Sequence, residues 1–258
     1  MPLLIIRNCL KNYLSLKLMK NLTLFLVIAS LKAILLMGCV TVSQRVELLS
    51  TTNIFTELET SQITMVYANT LNGRITISGD DVSEAIVEMI ILGNNSPGRN
   101  RNWTDEKIKE ELARTYDIQI QIVDENLRVV ARPRPHIRNP KLDVSFKITV
   151  PKQVSSSSNT VNGRIEISNL HGSHALHTVN GRLCADHITG RIASSVVNGR
   201  TTITNSRGNI SGSSVNGQIT IENSNGDITM STVNGRITAR NTEGQVQLST
   251  VNGRIVRE

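Results

Sequence analysis

The sequence predicts a mainly β protein. It reads as a parallel β-solenoid of 18-residue coils, each made of two nine-residue strand-turn halves, with a mixed sheet and one helix capping the N-terminal end. Three observations predict this. The phrase Val161-Asn162-Gly163-Arg164 returns at Val179, Val197, Val215, Val233 and Val251 with a constant step of eighteen residues. Glycine falls every nine residues from Gly163 to Gly253. After each glycine, apolar residues alternate with polar ones: Ile165 and Ile167, Ile219 and Ile221, Ile228 and Met230.

A fixed period of this size means stacked supersecondary units, and alternation in steps of two is the pattern of a half-buried strand. Glycine at the corners accepts backbone angles that other residues resist. The alternative is an antiparallel meander, because Asn-Gly is a strong hairpin signal. Constant spacing favours the solenoid, which sets each residue over its copy eighteen positions earlier; a meander needs no such constancy. Stacking would bring Asn162, Asn180, Asn198, Asn216, Asn234 and Asn252 into an internal amide ladder.

Taken in order, the chain opens with an address. Residues 21–37 are largely apolar and follow Lys17 and Lys20; the true start is either Met1 or Met19. The run ends in Leu36-Met37-Gly38-Cys39, which resembles the lipobox of bacterial lipoproteins. The resemblance implies a signal peptide over 1–38, a diacylglyceryl thioether on Cys39 and acylation of its amine. More than one acyl chain gives stable membrane anchoring. Lys32 interrupts the apolar run. The other reading is an uncleaved transmembrane helix, in which a central lysine costs about 2.5–3.5 kcal/mol. Val40 stands where lipoproteins retained at the inner membrane often carry aspartate, which favours the outer membrane where the organism has one.

Residues 39–60 read as a polar tether with some strand content near its end. Residues 61–155 read as the capping region. Within it, Ile63–Ala68 and Ala85–Leu92 have strand patterns, and Gly93–Gly98 is a loop by composition. Thr104 is placed to cap a helix over Asp105–Thr115, with Ile108 and Leu112 on its apolar stripe. Tyr116–Val123 and Asn126–Ala131 read as a strand pair, and Leu142–Val150 alternates again before Pro151. Thr70-Leu71-Asn72-Gly73-Arg74-Ile75 copies the repeat phrase ninety residues before its next appearance, and reads as an early coil or edge of the same sheet. Ser155–Ser158 reads as a flexible joint, and 156–258 as the repeat solenoid.

The repeated Val-Asn-Gly phrases, the early Asn72-Gly73 copy and Ile148-Thr149-Val150-Pro151-Lys152 resemble a bacterial family of unknown function that carries the label "putative adhesin". The resemblance covers roughly Ile63 to the end. It implies a secreted or envelope-attached β-repeat domain, and it transfers an architecture, not a mechanism.

Composition narrows the function. The 258 residues carry a formal charge of +7, but five basic and no acidic residues precede Cys39; the remainder holds 23 basic against 21 acidic residues. The basic excess is therefore mostly an export signal, and no basic-aromatic patch points to nucleic acid. Three cysteines give no even disulfide framework, and Cys184 reads as an isolated small residue. Calcium-binding β-rolls need an aspartate in each turn, whereas Asp186 and Asp227 are isolated. His171, His174 and His177 point apart on a strand, so no metal site is expected. No catalytic motif and no stacked acidic pair is present, so neither an enzyme nor a cofactor is expected; a polysaccharide-active β-helix enzyme is the least favoured reading.

One candidate site remains. Arg164, Arg182, Arg200, Arg236 and Arg254 share one column, broken by Gln218. Arginine suits bidentate anion binding, so the row is a candidate for an anionic envelope polysaccharide. The competing reading is a solvated edge partly neutralised by Asp186 and Glu222. Thr202, Thr220 and Thr238 stack outward beside it and are explained by strand propensity. The expected partners are a membrane through the lipid anchor, an envelope glycan or protein, and a second copy at the open C-terminal edge. The favoured role is a noncatalytic structural or adhesin-like module of the cell envelope.

Overall fold

The computed structural model describes residues 53–58 (backbone only), 63–93 and 103–258. The signal peptide, Cys39, most of the tether and most of the loop read at 93–98 lie outside the described residues.

Among the described residues, nine strands and one helix follow in order: β1 Asn53–Leu58, β2 Met65–Asp80, β3 Ala85–Gly93, α1 Asp105–Thr115, β4 Tyr116–Val123, β5 Asn126–Pro133, β6 Leu142–Pro151, β7 Ser155–Thr204, β8 Arg207–Glu243 and β9 Val246–Arg257. They join one sheet in the order β1-β3-β6-β2-β7-β8-β9, with β5 also on β2 and β4 on β5. The protein is mainly β, and its sheet is mixed.

The repeats pair in parallel. Gly190 lies beside Gly208 and Ile203 beside Ile221 where β7 meets β8. Gly235 lies beside Gly253 where β8 meets β9. Each partner is one period away. The early copy obeys the same rule: Asn72 pairs with Asn162 and Gly73 with Gly163 as β2 runs parallel to β7. Its ninety-residue separation from the later copies is thus a true register. Parallel neighbours, rather than hairpin partners, follow every Asn-Gly in the array.

The close fit explains the glycines. A Cβ at Gly181 would fall on the carbonyl oxygen of Gly163, and one at Gly235 on that of Gly217. Nothing larger than hydrogen fits where successive copies meet.

The expectation for one segment is corrected. Ser155–Ser158 is not a joint: it opens β7 and pairs with Met65–Ala68 of β2. Ser156 and Ser158 are buried, so the small side chains serve packing. The two nine-residue halves are also not alike. Asn169, His187, Asn205, Asn223 and Asn241 take the left-handed conformation, with φ between 47° and 56°. Asparagine tolerates that region better than most residues. The kink turns Leu170 and Ile188 inward at one corner. At the other corner, Thr160, Thr178, Val196, Ser214 and Thr232 point in, while the valine that follows each is half-buried or exposed; in the last copy Val251, after half-buried Thr250, reaches 74%.

The N-terminal region is built on the first parallel strands. β5 and β6 each run parallel to β2, on its Met65–Thr70 and Ile75–Asp80 segments. Beyond them the direction changes: β4 is antiparallel to β5, β3 to β6 and β1 to β3. β1 falls where strand content was expected near the end of the tether. Helix α1 packs near β3, β4 and β6 and buries Ile108, Leu112 and Thr115. Its start is as the sequence indicates: the Thr104 side chain accepts from the Lys107 N–H, and Asp105 and Glu106 face the positive end of the helix. The Tyr116 hydroxyl donates to the Leu142 carbonyl at 2.7 Å in the interior. Burial raises the Tyr116 pKa far above the ordinary phenol value, so the donor stays protonated.

The core is a narrow strip of Ile, Val and Leu running from Val66 to Ile237, with Phe146 as its largest buried side chain. This accounts for the 3% aromatic content.

Candidate functional site

The strand after each Val-Asn-Gly phrase sets arginine, or glutamine at Gln218, on its first outward position. Arg74 and Arg164 are register partners, as are Arg200 with Gln218 and Arg236 with Arg254. The row therefore has a member not counted in the sequence reading, Arg74, whose signal was the Asn72-Gly73-Arg74 copy itself.

The row is not uniform. Glu166 sits two residues after Arg164 and accepts from its Nη1 at 2.9 Å, with Arg74 Nε 3.9 Å from the same carboxylate. Arg164 is thereby occupied. Arg182, Arg200, Arg236 and Arg254 are exposed, and among the described residues none of them forms an ion pair. The two acids expected to neutralise the row face elsewhere. Asp186 accepts from Thr204 Oγ1 at 2.6 Å and Asn205 Nδ2 at 2.8 Å, and lies 2.8 Å from His187 Nδ1. Burial pushes the Asp186 carboxyl up, but the contacts to Thr204, His187 and Asn205 outweigh it and hold the pKa below the ordinary aspartate value. Glu222 accepts from Arg240 Nη1 at 2.9 Å, and Arg240 Nε donates to Glu258 at 2.8 Å.

Two residues before each arginine stands the asparagine ladder. Asn162 donates from Nδ2 to Asn72 Oδ1 at 3.0 Å, and the link repeats through Asn180, Asn198, Asn216, Asn234 and Asn252 at 2.9–3.1 Å. The ladder was expected inside; it lies on the exposed side of the corner. The reason is the asymmetry of the two halves: at this corner the buried position goes to Thr160 and its equivalents, two residues before the asparagine.

The next outward column holds Glu166, Cys184, Thr202 and Thr220, all half-buried, and Thr238, which is buried rather than outward. Burial, with Glu166 nearby, pushes the Cys184 thiol up, the opposite direction from that of reactive cysteines.

The three histidines separate as their spacing implies. His174 is buried, His177 is half-buried on the outer side and His171 is exposed at the corner. His174 Nδ1 lies 2.9 Å from Ser156 Oγ, and burial lowers its pKa to about 4. Among the described residues, no three His, Cys, Asp or Glu side chains converge as metal ligands. The described residues include the linings of two shallow surface troughs. One of about 470 Å³ is floored by small residues such as Ser157, Ala175, Ala193 and Ser211. The other, about 620 Å³, is lined by Asp80, Lys152, Asn169, His171 and His187 among others. Asp80 is the one carboxylate lining either, which leaves these troughs without the paired acids of glycoside hydrolysis.

No family model and no curated protein sequence matches the chain. Among solved structures it is similar to a "putative cell adhesion protein" from Clostridium sporogenes, at 10% identity, covering 81% of this chain and 99% of that chain with a TM-score of 0.37. It is similar to a "putative adhesin" from Bacteroides fragilis, at 13% identity, 81% and 98% coverage and a TM-score of 0.40. It is also similar to a "Putative lipid binding protein" from Parabacteroides distasonis, at 11% identity, 80% and 94% coverage and a TM-score of 0.32.

Proposed function

We propose that this chain is a noncatalytic, adhesin-like module of the bacterial cell envelope, built as a parallel β-solenoid of 18-residue coils. On this reading residues 1–38 are a lipoprotein signal, Cys39 carries the lipid, 39–60 tether the folded part, 61–155 cap the solenoid and 156–258 form its coils. The observation that carries the proposal is the parallel register at one full period, with glycine packed on glycine. Such an interior is filled with aliphatic and small polar side chains and has no room for a reaction chamber. What remains for function is the outside, a set of straight columns suited to display and contact.

The test is made on intact cells. The full chain is expected to take up labelled fatty acid, Cys39→Ser to abolish the uptake, and externally added protease to remove the repeats from the cell surface. Unchanged labelling of Cys39→Ser refutes the anchor; repeats that resist protease on intact cells but not on lysed ones refute surface display.

A second reading rests on Arg182, Arg200, Arg236 and Arg254, which are exposed and lack carboxylate partners within the described residues. In it the row binds an anionic envelope polysaccharide. Changing Arg182, Arg200 and Arg236 to Gln is expected to weaken binding to an acidic glycan at low salt, and equal binding by the triple variant refutes it.

A further inference from the structure

We infer that the ligand of the arginine row is a linear acidic polysaccharide with a carboxylate on each sugar, lying along the stacking direction, and that the asparagine ladder is its second contact column. The inference rests on the second reading above and adds the form of the ligand, its direction and the residues that read it.

The ladder fixes what each asparagine offers to solvent. A carboxamide has one acceptor oxygen and two N–H donors. In Asn180, Asn198, Asn216 and Asn234, Oδ1 accepts from the next asparagine and one N–H is given to the previous one. Each keeps one N–H beyond the ladder. One unused N–H per asparagine thus recurs at every copy, beside an oxygen that keeps one lone pair. Two residues along each strand, arginine adds charged donors with no acceptor capacity. Half-buried Thr202 and Thr220 hydroxyls stand in the column beyond.

The spacing selects the ligand. Neighbouring parallel strands lie ~4.8 Å apart, so equivalent donors recur at that interval in a straight line. An extended polysaccharide with an acid on every sugar repeats its charge on a comparable scale. A lipid surface presents anions with no fixed linear repeat.

The limits of the site are also set. On the N-terminal side, Glu166 pairs with Arg164 and approaches Arg74, offsetting part of the row's positive charge and competing for its donors. The site therefore begins at Arg182. Gln218 divides the remainder into two arginine pairs, Arg182 with Arg200 and Arg236 with Arg254. A disaccharide reaches one pair; a chain must span five copies of the repeat to reach both.

The experiment compares galacturonate oligomers of two and six sugars, linked α-1,4, binding to the full chain at low salt. Two further exposed arginine–carboxylate contacts together give about tenfold, so the hexamer is expected to bind about tenfold tighter than the dimer. The fully methyl-esterified hexamer is expected not to bind. Addition of the hexamer is expected to shift the side-chain amide proton resonances of Asn180, Asn198, Asn216 and Asn234, a readout that needs no substitution in the ladder. Equal affinity for dimer and hexamer, or unmoved asparagine amide resonances, overturns this inference while leaving an anion-binding row in place. Hexamer binding that is unaffected in the Arg182, Arg200 and Arg236 to Gln variant overturns the reading beneath it, as does tighter binding to phosphatidylglycerol vesicles than to the hexamer. Absence of binding to any of these probes overturns both.

Discussion

Ser156 Oγ lies 2.9 Å from His174 Nδ1 in the interior, one repeat apart. The opposite ring nitrogen, Nε2, is buried with no partner. The protonated ring carries hydrogen on both nitrogens and a positive charge in the interior, and Nε2–H has no acceptor there. This is why burial lowers the pKa to about 4.

A pH dependence follows. An unfolded histidine titrates near 6.5. Between that value and about 4 the unfolded chain binds the proton and the folded one does not. Stability is therefore full above pH 6.5 and falls as pH drops toward 4, by up to about 3 kcal/mol. Isoleucine occupies the equivalent place at Ile192, so His174→Ile should fit. Urea unfolding at pH 7 and pH 4 is expected to show a smaller loss for the variant than for the natural chain. Equal losses would remove His174 from the account.

The asparagine ladder predicts a charge-dependent defect. In Asn198→Asp, the carboxylate can still accept from Asn216 but cannot donate to Asn180 Oδ1, and two oxygens then face each other. At pH 7 the loss is expected to be about 1 kcal/mol. Below pH 3 the protonated acid regains a donor, so thermal unfolding compared at the two pH values should show the gap to the natural chain narrowing. A constant gap would argue against the ladder.

Thr178 Oγ1 is buried without a hydrogen-bond partner, and Val196 occupies the equivalent position one repeat later. Thr178→Val keeps the shape and removes an unsatisfied hydroxyl. It is expected to stabilise the protein by about 1 kcal/mol, read as a higher urea midpoint. A lower midpoint would mean that the hydroxyl has a role in the turn.

Gly181→Ala tests the contact between copies. The new methyl would meet the Gly163 carbonyl oxygen, and the strands must separate to admit it. A loss of about 1–3 kcal/mol is expected, the usual cost of overpacking. Asn209→Ala, at an exposed strand position, should cost less than about 0.5 kcal/mol. Similar behaviour of the two variants would contradict the packing described.

Much of this was legible in the chain. Parallel pairing came from the constant step between Gly163 and Gly253, because only a register one period deep requires it. Helix α1 was readable from Thr104, Asp105 and the Ile108–Leu112 stripe, since caps and helical faces are local. The inequality of the two halves was not readable. It depends on the left-handed angle at Asn169 and its equivalents, and asparagine also serves in ordinary turns. The position of the ladder followed from that same angle. The role of Ser155–Ser158 was hidden because serine clusters favour loops by composition, and only pairing with β2 makes them a strand. Thr204 and Asn205, which hold Asp186, and Arg240, which holds Glu222, belong to adjacent copies, and spacing along one strand does not resolve them.

Every link of the asparagine ladder is made in the same sense, each Nδ2 pointing toward the preceding copy. Their dipoles add along a line, as peptide dipoles do along a helix. The result is a surface with a head and a tail: its partial positive pole lies at Asn72 and its partial negative pole at Asn252. A chain molecule laid on that surface would feel a difference between its own two ends, and would settle in one orientation in preference to the reverse.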